Sequence, residues 1–442
     1  MFVLASAGFV VGLKNIWLFP HHLALYGGSA FLVTYLVFLL LLGVPLLMTQ
    51  IMLGRLGRAT PVAALATLAR QARAARHWRW LGAAGILAGF LVFSYYSVVA
   101  GWILAYAARS ASGALNGLTA EGAASVFAVL VKDSEKQLFW HGLFMTITLL
   151  TVAGGVRAGL ERVMRYVVPL IFALLLLLVV YAASSGAARV GFEYLLRVDF
   201  PQLGGDGVLV ALGDAFFSLG LGVATFMMYG AYLPRNGPVL QFALYVVLAD
   251  VVSGLFAAFA IFPILFAGGG LSAAGPALVF QSLAVAFDPL PFGALMRTVL
   301  FVLLALVAWM STVGLVEPVV AWLVESRKCS RQRAALWVGA AAWPIGVVSI
   351  LSLDHWAFSF SFFGIDRSLG FFDILIVFTS FVLLPVVGLG LAVFAGWVLR
   401  PETTRAALAI ESPCAHDVWL WLNRLAIPLM LIALLFGVRL FL

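Results

Sequence analysis

The stretch Ser6–Pro20, SAGFVVGLKNIWLFP, is an apolar segment with features that a plain membrane-spanning helix lacks. Gly8 and Gly12 interrupt it, and the polar pair Lys14 and Asn15 follows directly. Inside a bilayer every backbone amide and carbonyl needs a partner, so a spanning helix breaks only where its freed groups face protein or a bound ion. We therefore expect a broken helix that lines a polar site at mid-membrane depth.

A second segment of the same kind, Gly213–Gly222 (GDAFFSLGLG), interrupts another long apolar run. It places Asp214 and Ser218 beside Gly220 and Gly222. Paired broken helices are typical of secondary transporters built from inverted repeats, in which freed carbonyls bind cations and half-helix N-termini bind anionic groups. The two segments together predict such a repeat.

The composition independently indicates a polytopic membrane protein. Hydrophobic residues make up 64% of the 442 residues and charged residues 10%, with a mean hydropathy of +1.12. A soluble domain has about 45–50% apolar and about 25% charged residues. The net charge of +8 does not indicate nucleic-acid binding, because the basic residues lie in short loops between apolar runs. The histidines show no spacing typical of metal ligands, and no pairing of nucleophile and base indicates an enzyme.

Eleven apolar runs have the length of about 20 residues that a helix needs to cross the hydrocarbon core. Runs one to five and six to ten form two halves, residues 1–185 and 208–399, and an odd number of spans in each half gives the halves opposite orientation. The run at 418–441 lies outside this repeat. The expected spans are 3–25, 29–53, 81–107, 139–156, 165–185, 208–233, 238–267, 293–324, 334–352, 372–399 and 418–441.

The arginines of the loops predict the orientation in the membrane. Loop 54–80 carries six arginines and no acidic residue, and basic residues mark cytoplasmic loops. We therefore expect a cytoplasmic N-terminus and an external C-terminus in the inner (plasma) membrane of a bacterium, with lipid around the chain. The oligomeric state stays open.

Three longer stretches resemble the neurotransmitter:sodium symporter family. Asn15–Gly57 reads NIWLFPHHLALYGGSAFLVTYLVFLLLLGVPLLMTQIMLGRLG, Ser94–Trp102 reads SYYSVVAGW and Phe371–Pro385 reads FFDILIVFTSFVLLP. The resemblance covers nearly the whole chain. It implies an all-α polytopic membrane protein with the leucine-transporter-like fold, a 5+5 inverted repeat whose helices 1 and 6 are broken. It also implies sodium-coupled symport of an amino acid or a related small zwitterion by alternating access, without a cofactor other than the coupling ion.

The resemblance also implies two sodium sites. The first would use the carbonyl of Val10 and the side chains of Asn15, Ser218 and Asp250. The second would use the carbonyls of Gly8, Val11 and Val307 and the hydroxyl of Ser311. Met310 departs from the family pattern there, because a thioether is too soft to replace a hydroxyl oxygen around a hard cation.

By the same resemblance, Tyr96 would bond a substrate carboxylate beside the amides of Leu13 and Lys14. An ordinary buried tyrosine is the alternative, since such hydroxyls usually find a partner. The other substrate-binding candidates are Val10, Val92, Phe217, Gly220, Val223, Ser311 and Leu315.

Two further departures concern the outer gate and chloride. The charged pair that closes the family's outer gate is replaced by Leu18 and Ile376, which predicts an apolar gate. Tyr35 of the family's chloride site is kept, but Asp214 places a carboxylate where the anion would bind, and like charges repel. Transport should therefore be independent of chloride.

Lys14 and Asp250 replace a Gly and an Asn of the family pattern. Because a buried unpaired charge is costly and a close pair recovers much of the cost, we expect the Lys14 ammonium to be held by Asp250, Asn15 and Ser218 and to meet the substrate carboxylate. The alternatives are a Lys14 that only reaches the outer vestibule, a sodium-independent or proton-coupled transporter, and a substrate sensor that does not transport.

Overall fold

The computed structural model describes residues 2–234, 237–269, 277–353, 356–362 and 365–437, and these residues are almost entirely helical. Eight helices are long and apolar enough to cross a membrane, and one bent pair, Phe2–Val10 with Leu13–Leu25, adds a ninth candidate. The eight are Ser29–Gly57, Arg76–Ala111, Gly159–Ala183, Val239–Ala267, Gly293–Arg327, Arg331–Ser352, Phe371–Val398 and Pro413–Phe436.

Two of the expected spans fall on helices that are not among those long and apolar enough to cross a membrane. The expected span 139–156 is the helix Ser134–Ala153, and the expected span 208–233 is two helices, Phe200–Ser218 and Thr225–Ala231. The helical fold class is confirmed, while the count of eleven and the bounds of the two repeats stay predictions. Part of the run 418–441 lies outside the described residues.

Shorter helices connect these elements. Pro61–Gln71 lies in the arginine-rich loop. Ala120–Lys132 begins after the N-cap residue Thr119, whose hydroxyl accepts from the Gly122 amide. Other short helices are Ala188–Leu196, Leu278–Ser282 continuing as Leu283–Ala286, and Pro401–Leu408.

One β-hairpin was not expected from the sequence. Strands Ala357–Phe362 and Ile365–Gly370 pair antiparallel, with Ala357 opposite Gly370. The hairpin leads directly into the helix that begins at Phe371, so it belongs to a connection between two spans and leaves the helical architecture unchanged.

Both predicted helix breaks are present, the second with shifted bounds. The first half-helix ends at Val10, the next begins at Leu13, and the two axes differ by 53°. In the second segment the helix runs through Asp214 to Ser218, and the non-helical part is 219–224. Asp214 and Ser218 are therefore presented by a regular helix, whereas Gly220 and Gly222 lie in the break.

The last helix is anchored to the second span, Ser29–Gly57. Thr49 donates to the Asn423 amide oxygen at 2.8 Å, and the Trp419 indole donates to the Pro45 carbonyl at 3.2 Å. Thr49 and Asn423 are fully buried. This satisfied polar contact fixes the rotation of the last helix against the span beside the two breaks.

Candidate functional site

The first break exposes backbone groups that side chains from distant helices reach. The Ser311 hydroxyl lies 3.3 Å from the Phe9 carbonyl and 3.4 Å from the Val11 carbonyl. On the other side of the break the Leu13 amide donates to the Tyr96 hydroxyl at 3.4 Å. The break thus presents acceptors for a cation toward Ser311 and a donor for an anionic group toward Tyr96, as a broken transporter helix requires.

The second break is shaped by glycines in the left-handed region. Gly220 has φ +61° and Gly222 has φ +87°, conformations that a residue with a Cβ rarely adopts. A Cβ on Gly220 would approach the Phe9 ring to 2.8 Å, and one on Gly314 would approach it to 2.4 Å. The Phe9 ring therefore packs into the two spaces that the missing side chains of Gly220 and Gly314 leave, here called the glycine notches. It joins the first break to the second.

Gln50, a residue that the sequence analysis did not single out, holds the backbone of the second break. Its amide oxygen accepts from the Gly222 amide and its amide nitrogen donates to the Val223 carbonyl, each at 3.1 Å. The side chain is fully buried. A lone amide in an otherwise apolar span was the available signal, because such groups in lipid seek backbone partners.

Three of the four residues expected at the first cation site, Asn15, Ser218 and Asp250, lie around one cluster of contacts. The part of the Val10 carbonyl stays a prediction. Asn15 donates its amide nitrogen to the Asp250 carboxylate at 2.8 Å and to the Ser253 hydroxyl at 3.0 Å. Tyr35 donates to the second Asp250 oxygen at 2.6 Å, and its hydroxyl lies 3.2 Å from that of Ser218. Since the Asn15 nitrogen faces a carboxylate, its amide oxygen is left for another partner. All five side chains supply oxygen, which suits a hard monovalent cation.

A small cavity opens beside this cluster. Its volume is about 10 Å³, close to the space that a single water-sized particle needs. It is lined by Lys14, Asn15, Phe19, Tyr35, Asp214, Ser218, Asp250, Val251 and Gly254. The cavity therefore brings the candidate cation residues and the candidate chloride-substituting pair, Tyr35 and Asp214, to one place.

The expected pairing of Lys14 with Asp250 is wrong. The Lys14 ammonium lies 2.8 Å from Asp214, whose other oxygen lies 2.7 Å from Nδ1 of His22. Asp214 is 2% exposed, whereas Lys14 retains 22% exposure, and its ammonium lies 4.8 Å from the centre of the Phe217 ring. Lys14 and His22 thus both contact Asp214, and the Lys14 ammonium also faces Phe217.

His22 is not among the site residues expected from the sequence, although its spacing from Lys14 carries the signal. Lys14 and His22 are eight residues apart in the same helix, Leu13–Leu25. Residues at such spacing lie near one face, so a partner of one is within reach of the other.

The second expected cation site is only partly assembled by side chains. Ser311 contacts the carbonyl of Val11, one of the three that were expected. A Cβ on Gly8 would lie 3.6 Å from the Met310 side chain, which is fully buried against this half-helix. Val307 is also fully buried, but only Ser311 supplies a side-chain oxygen among these positions.

The apolar candidates for substrate binding surround the breaks. Val10, Val223 and Leu315 are buried, and a Cβ on Gly89 would lie 3.2 Å from the Val223 side chain and 3.1 Å from the Leu315 carbonyl. Gly89 therefore lets the helix Arg76–Ala111 approach both residues closely.

The expected outer gate is not resolved as a contact. Ile376 packs on a cluster formed by Tyr95, Phe372 and Leu375, and Val92 and Tyr96 pack on the same cluster. Leu18 is half-buried. Ile376 therefore shares a cluster with two of the substrate-binding candidates, and the closure of Leu18 against it stays a prediction.

Two helices broken within one bundle, with carbonyls, hydroxyls and a carboxylate gathered at the breaks, define the class as a secondary transporter. Comparison with known proteins agrees with this class. The model of the sodium:neurotransmitter symporter family matches residues 1–121 and 136–382.

Whole-length relatives extend this match. The chain is 33% identical to the uncharacterised sodium-dependent transporter YhdH of Bacillus subtilis, covering 98% of this chain and 94% of the relative. It is 26% identical to an uncharacterised sodium-dependent transporter of Haemophilus influenzae, with 98% and 95% coverage.

A solved structure gives the same fold. The crystal structure of MhsT in complex with L-phenylalanine matches with a TM-score of 0.88 and 33% identity, covering 99% of this chain and 98% of that one. The chain belongs to the sodium:neurotransmitter symporter family. It is a multi-pass membrane protein of a family of sodium-coupled transporters.

Proposed function

We propose that the protein carries an amino acid or a related small zwitterion into the cell together with sodium, by alternating access and without chloride. The observation that carries this proposal is the pairing at the first break, where the Leu13 amide faces the Tyr96 hydroxyl while the Phe9 and Val11 carbonyls face Ser311. Donors for a carboxylate and acceptors for cationic groups thus lie on opposite sides of one break. A zwitterion carries the matching charges.

Proteoliposomes test this proposal directly. Because the matched structure of MhsT holds L-phenylalanine, that amino acid is the first probe, followed by the other apolar amino acids. We expect uptake that requires an inward sodium gradient and counterflow when the vesicles are preloaded with substrate. Substrate binding in detergent without counterflow would identify a sensor, and the transport proposal would fail.

The first sodium site is proposed to consist of Asn15, Ser218 and Asp250 with the Val10 carbonyl. The carboxylate adds a full charge where the family pattern has an amide, and two unit charges about 4 Å apart attract by about 4 kcal/mol at an effective dielectric constant near 20. Desolvation offsets part of that attraction. We expect Asp250→Asn to raise the sodium concentration for half-maximal uptake by at least about tenfold, which is about 1.4 kcal/mol. Asp206→Asn, an exposed carboxylate, is the matched control.

A sodium-independent or proton-coupled cycle is the second candidate, and the tethered Lys14 ammonium favours it. Lys14 contacts both Asp214 and Phe217, so it can leave a carboxylate that His22 also holds and turn toward a substrate carboxylate. Under this alternative, uptake would be insensitive to sodium and Lys14→Gly would abolish it. A steep sodium dependence that survives Lys14→Gly would reject the alternative.

Chloride independence is proposed from Asp214 and Tyr35, which line one cavity. A carboxylate there repels a second anion. Replacing chloride by gluconate should leave uptake unchanged, and Asp214→Gln with Gly254→Ser should introduce a chloride requirement. A Cβ at Gly254 would lie 3.1 Å from the Phe19 ring, so Gly254→Ala serves as the control for packing. Loss of uptake by the unmutated protein in gluconate would refute the assignment.

The topology is part of the proposal. The arginine-rich loop around the helix Pro61–Gln71 is assigned to the cytoplasm of a bacterial cell, with the N-terminus on the same side. Labelling of a single cysteine introduced into this loop should require permeabilised cells.

A further inference from the structure

The arginine-rich loop folds into a concave basic pocket. Arg70 lies in the last turn of the helix Pro61–Gln71, Arg73 lies in the turn that follows, and Arg76 begins the next helical segment. The three residues are exposed and line one pocket of about 510 Å³ together with two alanines. The carboxylate of Glu325 accepts from the Thr60 amide. Thr60 lies at the opposite end of the helix Pro61–Gln71 from Arg70, so Glu325 does not neutralise the three arginines of the pocket. Three arginines that line one pocket, with no carboxylate among the lining residues, suit a phosphate group.

An apolar groove lies on the next helix. It has a volume of about 490 Å³ and is walled by three helices, with Leu87 and Phe90 on one, Trp322 on the second and Trp337 on the third. Leu87 is 47% exposed and Trp337 is 49% exposed. The groove therefore opens to the surface that lipid surrounds.

The pocket and the groove share one helix face. The 3-10 turn Arg76–Trp78 leads directly into the α-helix Arg79–Ala111. Trp80, Leu87 and Phe90 recur along this α-helix at steps of seven and three residues, which keeps them on one side, and Arg76 lies at the same end as Trp80. Trp80 is 62% exposed, as an aromatic residue at a membrane interface is. Trp80 and Phe90 are about 15 Å apart along the axis, half of the ~30 Å hydrocarbon core. The groove thus runs through one leaflet, with the arginines at its polar end.

We propose that this face binds an anionic phospholipid of the cytoplasmic leaflet, with its phosphate among Arg70, Arg73 and Arg76 and one acyl chain in the groove. The general bias of basic residues toward the cytoplasm accounts for the charges. It does not account for their convergence on one pocket or for an apolar groove in line with it. Clusters of arginine beside a membrane-spanning helix attract anionic lipids by about 1 kcal/mol per basic residue.

Native mass spectrometry of the full-length protein tests the headgroup. The protein is purified in mild detergent and incubated with phosphatidylglycerol or with phosphatidylcholine of the same chain length. We expect the parent to retain phosphatidylglycerol preferentially and Arg73→Gln with Arg76→Gln to retain at least about tenfold less, from two lost basic contacts. Arg189→Gln with Arg400→Gln, two exposed arginines elsewhere, should behave like the parent.

Two results would overturn the proposal. Equal retention of both lipids, or no difference between the parent and the Arg73, Arg76 variant, would remove the specific headgroup site. Full displacement of phosphatidylglycerol by glycerol 3-phosphate at equal concentration would show a site for free phosphate anions and not for a lipid.

Tryptophan quenching tests the groove in the parent, so it does not depend on the arginine variants. Phosphatidylglycerol with brominated acyl chains should quench tryptophan fluorescence, and Trp337→Phe should remove a larger share of that quenching than Trp343→Phe. Equal effects of the two substitutions would refute the placement of the acyl chain.

Discussion

The contact between Lys14 and Asp214 can be tested by a double-mutant cycle with Lys14→Met and Asp214→Asn. Their charged atoms are 2.8 Å apart, and Asp214 is almost fully buried. At an effective dielectric constant of about 20, this separation corresponds to a gross attraction of about 6 kcal/mol. Desolvation removes part of it, and Lys14 keeps 22% exposure, so we expect a coupling free energy of about 2 kcal/mol, below the ~3–5 kcal/mol of fully buried pairs.

The assay is the half-life of the purified protein in detergent at one elevated temperature, since large membrane proteins unfold irreversibly. Asp214→Asn takes the carboxylate from the Lys14 ammonium, and Lys14→Met leaves the buried Asp214 with His22 as its remaining partner. Each single substitution should therefore shorten the half-life, whereas the double substitution should recover most of the loss. A coupling of about 2 kcal/mol means that the half-life of the double variant exceeds the half-life expected from multiplying the two single effects by a factor of about 30. Additive effects within about 0.5 kcal/mol would refute the ion pair.

Two further substitutions follow from the geometry. Gly220→Ala should destabilise the protein by at least about 1–2 kcal/mol and reduce uptake, because Ala is disfavoured at φ +61° and its Cβ would approach the Phe9 ring to 2.8 Å; thermal inactivation and uptake measure both effects. Arg331→Gln should destabilise by about 3 kcal/mol in the same inactivation assay, because it removes the guanidinium that pairs with the fully buried Glu317 at 2.5 Å.

Each of these substitutions has a control in the chain. Gly205→Ala places a methyl group where no atom lies within 4 Å and should be neutral. Arg333→Gln removes an exposed arginine two residues from Arg331. A similar loss in each control would show that the effects come from general sensitivity of these helices and not from the named contacts.

The sequence was sufficient for the fold class and for the grouping of Asn15, Ser218 and Asp250. These residues occupy motif positions, and Asn15 and Ser218 lie on helices that adjoin the two breaks. The breaks follow from glycine and from the requirement to satisfy backbone groups in lipid. The partner of Lys14 was predicted incorrectly for a reason visible in helix geometry. Neighbouring residues of a helix point about 100° apart, so Lys14 and Asn15 face different helices and do not share a partner.

Other parts of the site depend on tertiary contacts that a single sequence does not contain. The role of Phe9 requires that Gly220 and Gly314, far apart in the chain, both lie against its ring. The role of Gln50 requires knowing which backbone groups the second break leaves free. In both cases the contact that defines the role is made to the backbone or to a glycine that lacks a Cβ. Neither kind of contact leaves a side-chain pattern in the sequence.

The position of Phe9 has a consequence for the timing of the transport cycle. If the half-helix Phe2–Val10 swings outward, the ring must leave both glycine notches and expose an aromatic surface of about 150–250 Å², at a cost of about 4–6 kcal/mol. A close-packed ring has no intermediate packed position between the two states. Release of the ring is therefore a discrete step with its own rate. The dwell time of the closed state should therefore depend on the size of residue 9, even though its side chain donates no hydrogen bond and carries no charge.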